Sequence, residues 1–226
     1  MMSIAVVLAI GVAVAIGMQD DAPGRPALSA EPPPETTAET ALGEEPEPED
    51  PRPKPGPERE PRVTEEGWPL PDEGEAQAAS EPRYYDPNSN TALTLTVPAL
   101  GVYDAPVLDS DAPQALDQGV AHVPETSMPW DRGAQRNVYL AAHRLGYEGT
   151  GSRLLFYQLD RLGRGDEVIL EGQGGTYRYR VTEKLVVDPT DSWVMGQVRG
   201  RDMVSLQTCT PIPTFEKRLV VRADRV

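Results

Sequence analysis

The sequence is poor in the side chains that staple or metallate a small protein. Its 226 residues hold one cysteine, Cys209, and two histidines, His122 and His143. A single cysteine excludes an intramolecular disulfide, the usual device of small extracellular domains. A structural zinc site needs three or four ligands at recognisable spacing, and His122, His143 and Cys209 form no such motif. Asp188 and Asp191 fall short of the roughly six to eight oxygens that calcium gathers. No metal and no cofactor is therefore expected. Basic residues are scarce too, 21 against 36 acidic. They form no stripe with interleaved aromatics, which argues against a nucleic-acid surface. The glycines of Gln173-Gly174-Gly175 are not followed by the Lys-Ser/Thr of a phosphate-binding loop, so they predict a hairpin turn.

Proline, by contrast, is abundant, at 24 residues. Most prolines and most of the net charge of −15 fall between Asp20 and Pro82, where aliphatic and aromatic residues are nearly missing. Such a segment cannot bury enough apolar surface to offset its ordering entropy. Residues 20–83 therefore read as a disordered Pro/Glu-rich linker, extended by charge repulsion and polyproline geometry into a stalk. Before it, Ser3 to Met18 form an uncharged apolar run. Residues 1–19 are expected to be a single-pass transmembrane anchor, with the rest of the chain extracellular. The small-x-small pattern Ala13-Val14-Ala15 leaves a cleaved signal peptide as the alternative.

Residues 84–226 suit one compact domain. Short β-branched alternating segments recur there: ALTLTV, GVYDAPVL, NVYLAAH, DEVILEG, TYRYRVTEKLVV, MVSLQT and KRLVVRA. They predict an all-β barrel or sandwich, with helical turns around Ala112 to Gln118 and Leu154 to Leu162.

Three side chains at strand ends carry the chemistry. Cys209 closes one strand, His143 closes another before a Gly-containing loop, and Arg218 opens the last. A lone cysteine is often a small buried hydrophobe. A thiol reacts as thiolate, however, and a nearby imidazolium or guanidinium raises that fraction. Arginine cannot act as a base, so proton transfer falls to His143, and Arg218 is left to stabilise an oxyanion.

This combination resembles the sortases. The resemblance rests on Ala142-His143-Arg144 after an aliphatic strand, Leu206-Gln207-Thr208-Cys209 closing another, and Arg218 nine residues beyond the cysteine, before Leu-Val-Val. Gly119-Val120-Ala121-His122-Val123-Pro124 is similar to the His-x-Pro segment of that family, and Phe156 to Asp160 with Gly165 to Val168 to the segment joining its two half-barrels. Ala142 and Ser205 stand where many sortases have Gly and Thr. The resemblance implies an eight-stranded β-barrel with short helices over residues 84–226. It implies a cysteine transpeptidase that cleaves a C-terminal sorting signal between Thr and Gly through a Cys209 thioester. The partners would be secreted proteins bearing that signal and an amine acceptor in a peptidoglycan precursor or pilin. Thr208, His122, Pro211 and Tyr147 are supporting residues on the same basis, with His122 an auxiliary histidine near the site. Among classes the chain looks most like class E, with class D next, which implies a Leu-Ala-x-Thr-Gly signal and a groove lined by Val186 to Met195. Two other readings compete. An L,D-transpeptidase would need a Ser-His-Gly-x-x-Cys segment, absent here. A non-catalytic stalked binding domain would be favoured by a fully buried, unreactive Cys209.

Overall fold

The computed structural model describes residues 62–65 and 67–226. Its core is a β-barrel built from the expected alternating segments. The strands are β1 (Arg83–Tyr84), β2 (Leu93–Val97), β3 (Val102–Asp109), β4 (Val120–His122), β5 (Arg136–Ala141), β6 (Glu167–Gly172), β7 (Gly175–Val187), β8 (Asp202–Thr210) and β9 (Lys217–Arg225). They run in the order β1-β3-β2-β6-β7-β9-β8-β5-β4, and a parallel β3–β4 pairing closes the ring. β1 is a two-residue appendage on β3, outside that closed ring of eight. Closure removes the exposed edges that an open sheet would leave.

Period-two alternation explains the interior. In β2, Leu93, Leu95 and Val97 are buried while Thr94 and Thr96 are half-buried, as expected when successive side chains face opposite ways. Leu140, Leu206 and Val221 join them in one apolar cluster. The β6–β7 turn is the expected hairpin: Gly172 pairs with Gly175, and Gly174 has φ +89°, a conformation open to glycine at no steric cost.

Two helices are short. α1 (Glu73–Ala78) opens on a capping box, in which Asp72 accepts from the Glu75 N–H and Glu75 accepts in return from the Asp72 N–H. α2 (Pro113–Gln118) begins on proline and matches the expected helical turn. The second expected helix, from Leu154 to Leu162, is instead a run of turns ending in a 3-10 turn, Leu159–Arg161. The left-handed Leu154 (φ +54°) takes the start of this segment off the helical path.

Two expectations from the sequence require correction. The anchor assigned to residues 1–19, and with it single-pass membrane attachment as partner and location, lies outside the described residues. Among those described, no helix is long and apolar enough to cross a membrane. The α-helices are six residues long, about 9 Å at 1.5 Å per residue, against roughly 30 Å of hydrocarbon. The second correction concerns the linker, expected to extend to residue 83. The segment from Arg62 is part of the folded unit. Arg153 forms two-oxygen hydrogen bonds to Glu75 (2.8 and 3.0 Å) and donates to the Pro69 carbonyl at 2.8 Å. Ala79, Trp68 and Leu70 pack with Leu145, Leu154 and Phe215. Composition alone hid this, because the packing uses only a few apolar residues scattered among prolines and acids.

Candidate active site

The site is the last row of side chains on the outer face of β5, β8 and β9. Along β8, Val204 and Leu206 enter the core cluster and Thr208 is buried. Ser205, Gln207 and Cys209 therefore face outward. The register then sets the rows. Ala141 stands beside Gln207, which faces Val220 across β9. Two residues further along, Cys209 faces Arg218 directly, a position where cross-strand side chains meet. His143 stands two residues past the end of β5, beside them. β8 continues to Thr210, so Cys209 is a strand residue one position inside the edge.

A cavity of about 420 Å³ gathers these groups. Its walls include Trp68, Leu116, His143, Thr208, Cys209 and Arg218. Cys209 is half-buried, so it is not the fully buried thiol that would favour a non-catalytic domain. The Nη1 of Arg218 donates to the carbonyls of Phe215 (2.9 Å) and Lys217 (3.0 Å). These bonds fix the guanidinium at the cavity wall. Arg144, another wall residue, spends its charge elsewhere, donating to Thr210 Oγ1 (3.0 Å) and Asp160 (2.7 Å).

His143 is held by three neighbours. Its Nε2 lies 3.2 Å from Asp117 Oδ1, the Trp68 ring is 4.7 Å away, and Tyr147 meets it edge-on at 6.3 Å. Burial holds His143 below the ordinary histidine value, and the Asp117 carboxylate opposes that shift. The imidazole is thus largely neutral at pH 7, poised to accept a proton.

The supporting residues divide. Tyr147 packs at a tilt of 31° against Trp68, ring centroids 4.7 Å apart, and belongs to the aromatic cover of His143. Thr208 lines the cavity, but its hydroxyl donates to the Ala142 carbonyl at 2.9 Å. Its single proton is therefore committed to holding the chain together. Pro211 accepts from the Phe215 N–H at 2.8 Å and shapes the turn that carries Phe215 to the cavity. His122 is not at the site. It is 1% exposed, and its Nδ1 and Nε2 lie 2.8 Å from Asp109 Oδ1 and 3.1 Å from the Ser127 carbonyl. Its short strand pairs with both β3 and β5, which turns the ring into the barrel wall. The segment Val186 to Met195 does not line this cavity either. Val194 packs on Tyr139 and Val220, and Asn137 Nδ2 donates to the carbonyls of Val194, Met195 and Gly196.

Comparisons with known proteins give the family of this domain. Residues 95–226 match the family model described as "Sortase domain". The chain belongs to the sortase family. Over 132 residues it is 30% identical to "Sortase A" of Bacillus anthracis, covering 58% of each chain. It is 30% identical over 146 residues to "Sortase SrtE2" of Streptomyces coelicolor, covering 58% of this chain and 54% of that one. Among solved structures it resembles "Pilus-related Sortase C of Group B Streptococcus", with 28% identity and a TM-score of 0.55 over 62% of this chain and 69% of that one. The chain thus spans little more than half the length of these two curated relatives. Relatives named sortase A, sortase C, sortase D and SrtE2 all match, so membership holds at the level above class.

Sequence reasoning missed Trp68 and Asp117 as members of this sortase site. Trp68 lay in a segment read as linker. Asp117 carried no local signal, being one acid among 36 acidic residues.

Proposed function

We propose that this sortase is a cysteine transpeptidase acting on a C-terminal sorting signal. The observation that carries the proposal is the single cavity in which Cys209 faces Arg218 across two strands with His143 alongside. Cys209 attacks the Thr carbonyl of the signal and forms the S–C bond. Arg218 holds the oxyanion, a role in which a fixed donor contributes roughly 3–4 kcal/mol. His143, neutral at rest, takes the thiol proton and returns it to the Gly amine as the C–N bond breaks. An amine of a peptidoglycan precursor or pilin then resolves the thioester, with His143 as base, and water in its place gives slow hydrolysis. The preferred signal is Leu-Ala-x-Thr-Gly, as the class E resemblance implies.

The test is mass spectrometry of the chain incubated with paired Leu-Ala-x-Thr-Gly and Leu-Pro-x-Thr-Gly peptides and an amine. A Cys209-dependent product joined after Thr is the expected result, larger for the Leu-Ala peptide. No thioester and no product with either peptide would end the transpeptidase reading.

A further inference from the structure

α2 packs onto the barrel with its polar end at the active site. Ala115 is buried against Leu108 and Ala121, and Leu116 enters the cavity wall. The end of the helix is clamped at two points. A Cβ on Gly119 would stand 2.6 Å from the Pro106 carbonyl oxygen, and one on Gly151 would stand 2.7 Å from that of Gln118. Only glycine permits these approaches, so the backbone after Asp117 is wedged between β3 and the loop that follows His143. The wedge brings Asp117 Oδ1 to 3.2 Å from His143 Nε2, with side-chain exposures of 41% and 16%.

The groups facing His143 come from every element around it. Asp117 approaches from α2, Cys209 from β8 and Arg218 from β9, while Arg144 and Tyr147 belong to the loop after β5 and Trp68 to the amino-terminal segment. Asp117 is the carboxylate bonded to the ring. An ionised carboxylate only accepts, so the neutral imidazole must carry its hydrogen on Nε2. The Nδ1 lone pair remains for chemistry.

We propose that Asp117 is the positioning residue of this sortase, fixing His143 in the Nε2–H tautomer so that Nδ1 carries the proton between thiol and amine. The inference rests on the transpeptidase reading above. In acylation, Nδ1 takes the Cys209 proton as the S–C bond forms and gives it to the departing amine as C–N breaks. In resolution, Nδ1 takes a proton from the incoming amine as N–C forms, and returns it to sulfur as C–S breaks. The Asp117 carboxylate offsets the burial of the imidazolium that forms between transfers.

The experiment is 15N NMR of the full chain labelled in histidine, where nitrogen shifts read the tautomer and its titration, and His122 is the internal reference. Wild type should show Nε2–H for His143. In Asp117→Asn the midpoint of His143 should fall and the Nδ1–H form should appear, because the Asn amide can donate to Nε2. Asp117→Glu should restore the wild-type pattern. Turnover in Asp117→Asn should drop about tenfold or more in kcat, with KM nearly unchanged and partial rescue by Glu. An Nδ1–H tautomer in wild type, or an unmoved midpoint and tautomer in a folded Asp117→Asn, overturns the proposal. Absence of turnover in wild type overturns the transpeptidase reading, whereas the ring shifts by themselves still decide whether Asp117 holds His143.

Discussion

The hydroxyl of Thr208 donates to the carbonyl of Ala142 at 2.9 Å, one residue before Cys209 on one strand and one before His143 on the other chain segment. The bond ties the place where β5 ends to a strand that continues, so Cys209 and His143 share one support. The Ala142 N–H reaches the Gln207 carbonyl at 3.1 Å and completes the tie.

Thr208→Val should keep the shape and lose the tie. A buried carbonyl left without its donor costs about 1–3 kcal/mol. Urea unfolding should register that loss, and peptide turnover should fall with it. Thr208→Ser, which keeps the hydroxyl, should stay close to wild type in both measurements.

His122 and Cys209 should separate under substitution. Cys209→Ala removes the nucleophile and should abolish turnover while leaving the unfolding midpoint nearly unchanged. His122→Ala strips the bonds to Asp109 and Ser127 and should lower stability by about 1–3 kcal/mol. Per folded molecule it should still turn over. Equal loss of activity in the two variants would contradict the placement of His122 in the barrel wall.

A chain beginning at Tyr84 should fold cooperatively around the barrel, yet less stably than one beginning at Arg62. It loses Trp68, Leu70 and Ala79 from the cluster with Phe215 and leaves Arg153 without Glu75. Trp68→Ala alone should cost about 1–2 kcal/mol of that difference. Chemical unfolding of the two truncations and the point variant side by side measures it, and identical midpoints would show that the amino-terminal segment adds nothing.

Stability should depend on pH through His143. Its folded value is lowered by burial, so near and below the unfolded value of about 6.5 the unfolded chain binds more protons. The stabilising effect of a neutral imidazole is therefore intact above that pH. It is lost as pH falls from about 6.5 through the lowered folded value. Melting temperatures from pH 8 to 5 should show this slope, and His143→Gln should flatten it relative to wild type.

Much of the fold was legible because strand alternation is a local property. LTLTV and LVVRA announce an inside and an outside whatever they pack against, and Gly174 announces its turn. β4 escaped notice because Val120–His122 has three residues, all buried, and shows no alternation. Leu154 to Leu162 looked helical by spacing, but spacing does not register the positive φ that Leu154 adopts.

The sequence by itself determined which residues had the chemistry: one thiol, two imidazoles, and an arginine placed to face the thiol once the last two strands pair. The family resemblance already implied His143 rather than His122, and the tertiary structure supplies the physical reason that His143, and not His122, lines the cavity of Cys209. Both histidines follow short aliphatic segments, so strand pattern by itself does not separate them. Closure of the barrel through β3–β4 pairing seals His122 between Asp109 and Ser127, whereas parallel β5–β8 pairing delivers His143 to Cys209. The same closure brings Asp117, 26 residues upstream, to the His143 ring, and the packing of the amino-terminal segment brings Trp68. Contacts of that kind depend on how distant strands pair, and no local period in the chain encodes them.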